Sequence, residues 1–132
     1  MTGVRVAGIT AQYGPTPVLT DLSLDASSGE VLAVLGASGS GKTTLLRVLA
    51  GFLRPTAGEV TFGDRVVSAP SVWVPPEHRR VGIVPQEGAL FPHLDVRGNV
   101  GFGLPRHSDE RVDQMLALVG MSGLGERRVQ AL

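Results

Sequence analysis

Four residues in one short stretch, Gly36, Gly41, Lys42 and Thr43, have the types and spacing of a phosphate-binding loop, G-x-x-x-x-G-K-[ST]. Each is needed for a physical reason. Backbone N–H groups along the segment 36–44, GASGSGKTT, must converge on phosphate oxygens, and glycines permit the turn and the close approach that a Cβ would obstruct. Gly36, Ser38, Gly39, Ser40, Gly41, Lys42, Thr43 and Thr44 are therefore the candidate residues for holding a nucleoside triphosphate. A helix following the loop points its unpaired N–H groups and partial positive charge at the same anion. Lys42 is placed to reach the β- and γ-phosphates in a catalytic role, and the Thr43 hydroxyl to ligate the magnesium ion that bridges them. Average residue usage puts an accidental match in a chain of this length at about one in a few hundred.

Lys42 is also the only lysine, against eleven arginines. A bias toward arginine codons accounts for the skew but leaves the one lysine unexplained. An ammonium is a compact point charge on a flexible stem and the guanidinium a broad planar fork, so the two do not substitute at a tight phosphate site.

Such a loop needs a strand before it and a helix after it. Glu30 to Leu35, EVLAVL, is a short, nearly continuous apolar run of the kind buried on both faces of a parallel sheet. From Thr43 to Leu53, TTLLRVLAGFL, apolar residues fall on nearly all sides, which predicts a helix packed deep against a sheet. Upstream, Val4 to Ile9 and Val18 to Asp25 alternate as two antiparallel strands around the turn-rich Tyr13 to Pro17. Downstream, Glu59 to Phe62 and Arg65 to Val67 form a hairpin around Gly63-Asp64, Ser68 to Arg80 is a surface loop, and Val81 to Val84 is another short strand. Asp95 caps a weak helix from Val96, because Gly98, Gly101 and Gly103 each cost about 1 kcal/mol relative to alanine. A better helix has Ser108 as N-cap, Asp109 and Glu110 in its first turn, an apolar stripe of Val112, Met115, Leu116 and Val119, and Gly120 as its stop. A dinucleotide-binding loop fits poorly, since no G-x-G-x-x-G pattern is present and Lys42 would have no role in one.

Composition narrows the function classes. At 132 residues and 42% apolar content the chain has the size of one ordinary domain. Twelve basic residues balance twelve acidic ones, which argues against nucleic acid as a partner. The chain has no cysteine, which excludes disulfides and thiolate metal sites. No run approaches the ~18 apolar residues of a membrane span, so direct membrane insertion is not expected.

Many protein families share this loop, and the remainder of the chain separates them. From Tyr13 to Leu132 the sequence resembles the ATP-binding subunit of an ABC transporter. The likeness runs through AQYGPTPVLTDLSL before the loop and LLRVLAGFLRPTAGEVTFGDRVV after it. It is most specific in VPPEHRRVGIVPQEGALFPHLDV, which is similar to the region around the family's Q-loop, with Gln86 matching the glutamine. Within the family it is nearest to importer ATPases of the ferric iron, sulfate, polyamine and maltose type.

The resemblance implies an α/β fold, the P-loop NTPase fold of ABC ATPase type, with an antiparallel β subdomain and an incomplete parallel core sheet with helices. Residues 1–35 would hold the antiparallel strands and the strand leading to the loop, and 36–53 the loop and its helix. Residues 54–86 would hold the hairpin, surface loop and Q-loop strand, and 87–132 the start of a helical subdomain. It also implies ATP and Mg2+ as cofactors, with Tyr13 stacked on adenine and the Gln86 amide near magnesium and the attacking water, as metal ligand and catalytic residue. The implied partners are transmembrane permease subunits and a second ATP-binding subunit in a head-to-tail dimer. The implied place is cytoplasmic, on the inner face of the cell membrane through the permease. Phe91 and Leu94 fit either a docking surface for that permease or a core. Trp73, His78, His93 and His107 read as surface structure.

Two departures stand out. RGNVGFG replaces a family stretch closer to AENVAFG, which puts the rigidity of that segment in doubt. The family pattern also continues, past the position of Leu132, into a signature motif, an acidic strand and a catalytic glutamate. On that reading the chain is the nucleotide-binding front half of a transport ATPase and turns over little by itself. The alternative is a truncated, non-hydrolytic module that binds nucleotide or competes for the permease.

Overall fold

The computed structural model describes residues 3–105 and 108–131; His107 lies outside them. The chain divides into two compact units, Met1–Ile83 and Val84–Leu132.

The first unit is a five-stranded sheet with one helix. Strands β1 (Val4–Tyr13), β2 (Thr16–Ala26), β3 (Ala57–Phe62), β4 (Arg65–Ala69) and β5 (Val72–Trp73) pair in the order β2-β1-β3-β4-β5. Every pairing is antiparallel. Helix α1 (Lys42–Ala50) lies between β2 and β3 in sequence, and a single 3-10 turn covers Pro76–His78. Both expected hairpins form, with longer strands than the alternation alone marks.

Alternation understates β1 because its phase changes. Val6 is buried at an even position, but Ile9 and Ala11 are buried at odd ones, with the register shifting between Val6 and Ile9. A bulge supplies the extra residue: Gly8 sits at φ 60 and, on the neighbouring strand, Asp21 at φ 50. Its freed groups are answered locally, since Gly8 N–H donates to Ser23 Oγ at 2.9 Å and Asp21 N–H to Thr10 Oγ1 at 3.2 Å. On the other side Gly58, at φ 91, lies so close to β1 that a Cβ there would collide with the Gly8 carbonyl.

The core of this unit joins Val6, Ile9, Ala11, Leu19, Val60 and Val67 from the sheet to Leu45 and Val48 from α1. The helix is covered on one face only: Leu45 is 2% exposed and Val48 0%, while Leu46 is 49% exposed and Phe52 beyond it 67%. The prediction of a helix buried on nearly all sides is thus corrected, because a single sheet lies against it.

The expected parallel core sheet is also absent from the described residues. Neither Glu30–Leu35 nor Val81–Val84 belongs to a strand. Val31, Leu35 and Val84 are at least 90% exposed. A strand exists only through its ladder, and no described segment offers either run a neighbour. Val34 and Leu35 instead line a cavity of about 190 Å³ with Leu19, Leu22, Leu24, Ser40, Gly41, Lys42 and Leu45. What is retained is the fold class, mixed α/β with an antiparallel sheet and a phosphate loop opening a helix.

The second unit contains α2 (Val96–Gly101), α3 (Asp109–Leu118) and a 3-10 turn at Val129–Ala131. Val96, Val112 and Leu116 form its core, with Met121 packed against them. Asp95 caps α2 as expected, accepting from Gly98 N–H at 2.7 Å. The glycines that weaken α2 also allow its contacts, since a Cβ at Gly101 would stand 3.2 Å from Val112 Cγ2 on α3. Ser108 occupies the N-cap position of α3 but does not cap it; its hydroxyl donates to the Pro105 carbonyl at 2.7 Å. Arg97 bridges to Asp113 and, at 3.7 Å, to Asp109.

The Gly8–Gly58 crossing sets a testable cost. Gly58→Ala combines positive-φ strain with a backbone clash, and is expected to lose about 2 kcal/mol or more in equilibrium urea unfolding. Gly14→Ala, at φ 57 with open space around it, is expected to lose only about 1 kcal/mol.

Candidate functional site

The loop between β2 and α1 takes its shape from three glycine positions. Gly39 sits at φ 80 and Gly41, the N-cap residue of α1, at φ 95. Gly41 is also pressed against β2, where a Cβ would come within 2.7 Å of Leu19 Cδ2 and 3.1 Å of the Val18 carbonyl. At Gly36 a Cβ would stand 2.6 Å from Ser40 Oγ. Both the turn and the close approach required of the motif are therefore present.

Lys42 curls back over this loop. Its ammonium donates to the Gly36 carbonyl at 2.8 Å, the Ala37 carbonyl at 2.6 Å and Ser40 Oγ at 3.2 Å. An ammonium has three N–H donors, and here each has an acceptor. The cation is thereby held at the mouth of the helix. The first helical hydrogen bond runs from Leu45 N–H to the Gly41 carbonyl at 2.9 Å, so the amides before it have no helical carbonyl to reach. Among the described residues no side chain caps α1, and its first turn has no acidic residue. By contrast, α2 has an aspartate cap and α3 two acids in its first turn. The positive end of α1 is left for an anion from outside the chain, and the donor set of amides and ammonium fits phosphate.

The remaining predicted residues divide between the units. Ser38, Gly39 and Ser40 are exposed along the loop, Thr43 is exposed at the start of α1, and Thr44 is buried. Tyr13 ends β1 at 43% exposure. Arg47 Nη1 donates to its hydroxyl at 3.2 Å. That donation is the main reason the phenol is held below its usual pKa of 10.0. Gln86 is exposed and belongs to the second unit. Among the described residues no three His, Asp or Glu side chains gather as a metal cluster.

Behind the site, the far end of α1 is closed by a device that sequence reasoning missed. Gly51, at φ 88, ends the helix; Phe52 N–H returns to the Arg47 carbonyl at 2.8 Å and Gly51 N–H to Val48 at 3.2 Å. Over these carbonyls lies Arg79, 4% exposed. Its Nη1 donates to Val48 at 2.8 Å and Leu49 at 3.0 Å, and its Nε to Val74 at 2.6 Å. Its guanidinium carbon stands 4.5 Å from the centroid of the half-buried Trp73 ring. Burial pushes the Arg79 pKa down, and among the described residues no carboxylate pairs with it. The helix's negative end and the ring's π face take the place of a counter-ion.

In sequence Arg79 is one half of an Arg-Arg pair in a polar loop, with no local sign of burial. Arg47 carried a weak signal, as a lone charged residue one turn after Thr43 in an apolar helix. Asn99 gave none, yet it organises the 91–95 turn: its Nδ2 donates to the carbonyls of Phe91, Leu94 and Asp95, and its Oδ1 accepts from Phe91 N–H at 2.8 Å. Phe91 is 38% exposed and packs on Phe102 at a centroid distance of 4.2 Å.

Comparison with known proteins follows the same loop. A family model described as ABC transporter matches residues 19–132. An Fe(3+) ions import ATP-binding protein of Mesorhizobium japonicum is 40% identical over 94% of the chain and 34% of its own length. A sulfate/thiosulfate import ATP-binding protein of the same organism is 46% identical over 94% of the chain and 38% of its own length. An Fe(3+) ions import ATP-binding protein of Serratia marcescens is 42% identical over 100% of the chain and 38% of its own length. The chain thus spans little more than a third of the length of these relatives.

The Tyr13–Arg47 contact predicts a titration. Tyr13 is the only tyrosine, so ultraviolet absorbance reads it alone. Its midpoint is expected below 10.0, and Arg47→Gln should move it back up. Because the folded-state pKa lies below the unfolded one, the contact's contribution to stability is present above the unfolded pKa and is lost as pH falls through the folded pKa.

Proposed function

This chain belongs to the ABC transporter family, and from that premise we propose that its 36–44 loop holds the phosphates of ATP within a subunit that couples ATP binding and hydrolysis to solute import. The observation that carries the reading is the uncapped, acid-free N-terminus of α1 with the Lys42 ammonium held beside it. Loop amides and helix N-terminus bind the phosphate oxygens, and Lys42 transfers its donors from loop carbonyls to the β- and γ-phosphates. Tyr13 offers its ring to adenine. A magnesium ion would supply charge neutralisation on those phosphates, with the Thr43 hydroxyl as the group that would hold it at the loop; family likeness gives Gln86 a role toward magnesium and the attacking water.

The import role rests on the relatives. Proteins named for import of ferric ions and of sulfate or thiosulfate match nearly the whole chain. The partners we assign are transmembrane permease subunits and a second ATP-binding subunit, and the place is the inner face of the membrane through the permease. Among the described residues no helix is long and apolar enough to cross a membrane.

The test is thermal unfolding of this chain with and without magnesium-ATP. At about 100-fold excess over Kd, binding to the folded state is expected to add about 2.7 kcal/mol. Lys42→Ala should abolish the gain. No shift in the unaltered chain, or an equal shift in Lys42→Ala, would sink the proposal.

A further inference from the structure

Helix α1 is nine residues long, a rod of about 13 Å. One end presents Gly41, Lys42 and Thr43 to the proposed nucleotide. Along its length it meets the sheet through Leu45 and Val48, and apolar contacts of this kind resist separation far better than they resist sliding or rotation, because they have no direction. Directional bonds to the rod are concentrated at its other end. There the Arg79 fork holds the carbonyls of Val48 and Leu49 while the same guanidinium is fixed by the Val74 carbonyl and the Trp73 ring. A Cβ on Gly51 would come within 2.6 Å of Arg79 Nε, so the fork is seated against the helix end without free space. Its own anchors are rigid: Trp73 lies in β5, paired with Ser68, and Arg79 N–H closes the 3-10 turn on the Pro76 carbonyl at 3.0 Å.

We propose that Arg79 is a positioning residue for the phosphate loop: by clamping the C-terminal carbonyls of α1 to the β5 segment, it fixes the direction in which the N-terminus of α1 and Lys42 face the phosphates. It touches neither nucleotide nor metal. The inference rests on the reading that the loop binds nucleotide. A lysine can satisfy one or two of these carbonyls, but it cannot span Val48, Leu49 and Val74 from one plane.

The experiment is calorimetric titration of this chain with magnesium and a non-hydrolysable ATP analogue, read as Kd and stoichiometry separately. Arg79→Gln is expected to weaken binding about tenfold or more at unchanged stoichiometry. Arg79→Lys, which reaches only one or two of these carbonyls, is expected to restore the affinity in part and no further. A role in stability alone would lower the binding-competent fraction, hence the stoichiometry, and leave Kd as it was; that outcome overturns the proposal. Should Arg79→Gln lack the folded circular dichroism signal, Trp73→Leu replaces it. That change removes the face on which the guanidinium lies but none of its acceptors, and is expected to raise Kd about threefold. An unchanged Kd there overturns the proposal equally. If the unaltered chain does not bind the analogue, the nucleotide reading itself fails and this inference with it; binding by the unaltered chain with identical Kd in the variants sinks the positioning role alone.

Discussion

A helix has amides without partners at one end and carbonyls without partners at the other, and in α1 the two ends are answered in opposite ways. At Gly41 the described residues supply no side-chain cap, and the first turn holds no acid. At Gly51 the chain supplies a Schellman turn and then a buried guanidinium. The positive end is kept available, while at the negative end the carbonyls of Arg47, Val48 and Leu49 have donors. Arg79 would be costly in an apolar interior, since a buried cation without a counter-ion loses its hydration. The carbonyls offset that loss only because the helix stops where it does.

The sheet is arranged to hold the loop end of this rod. β2 presses Val18 and Leu19 against Gly41, and its own register depends on the bulge it shares with β1 at Gly8 and Asp21. The bulge reverses which residues of β1 face the core, and so brings Ile9 and Ala11 into the same cluster as Leu45 and Val48. Without the extra residue those side chains would point away from the helix. Glycine at 58 then lets β3 cross the bulge closely enough to continue the ladder.

How much of this could be read from sequence follows from how local each feature is. The phosphate loop was legible because its glycines, lysine and threonine answer to a geometry contained within nine residues, 36–44. Both hairpins were legible because turn residues and alternation sit together in the chain. The run EVLAVL read as a buried strand from hydropathy alone, but hydropathy says nothing of who supplies the ladder, and none of the described residues does. Trp73 and Arg79 read as surface features for the converse reason: a loop composition looks polar until a helix end arrives from thirty residues upstream and covers it. Ser108 shows the same limit on a small scale, standing at a cap position while its hydroxyl bonds the other way, to Pro105. Site roles for Tyr13 and Gln86 came from family likeness and not from spacing, and the Arg47 bond to Tyr13 belongs to tertiary contact.

The hold of the loop on Lys42 has a consequence for reactivity. With eleven arginines and this one lysine, the chain has a single side-chain amine, and its N–H groups point at Gly36, Ala37 and Ser40. Electrophiles that acylate amines usually scatter across a protein surface. Here every side-chain amine event falls within the phosphate loop, so the covalent chemistry of a generic reagent is confined to one address by composition and to one orientation by hydrogen bonding. Guanidinium groups elsewhere maintain the surface charge without offering a second target of that kind.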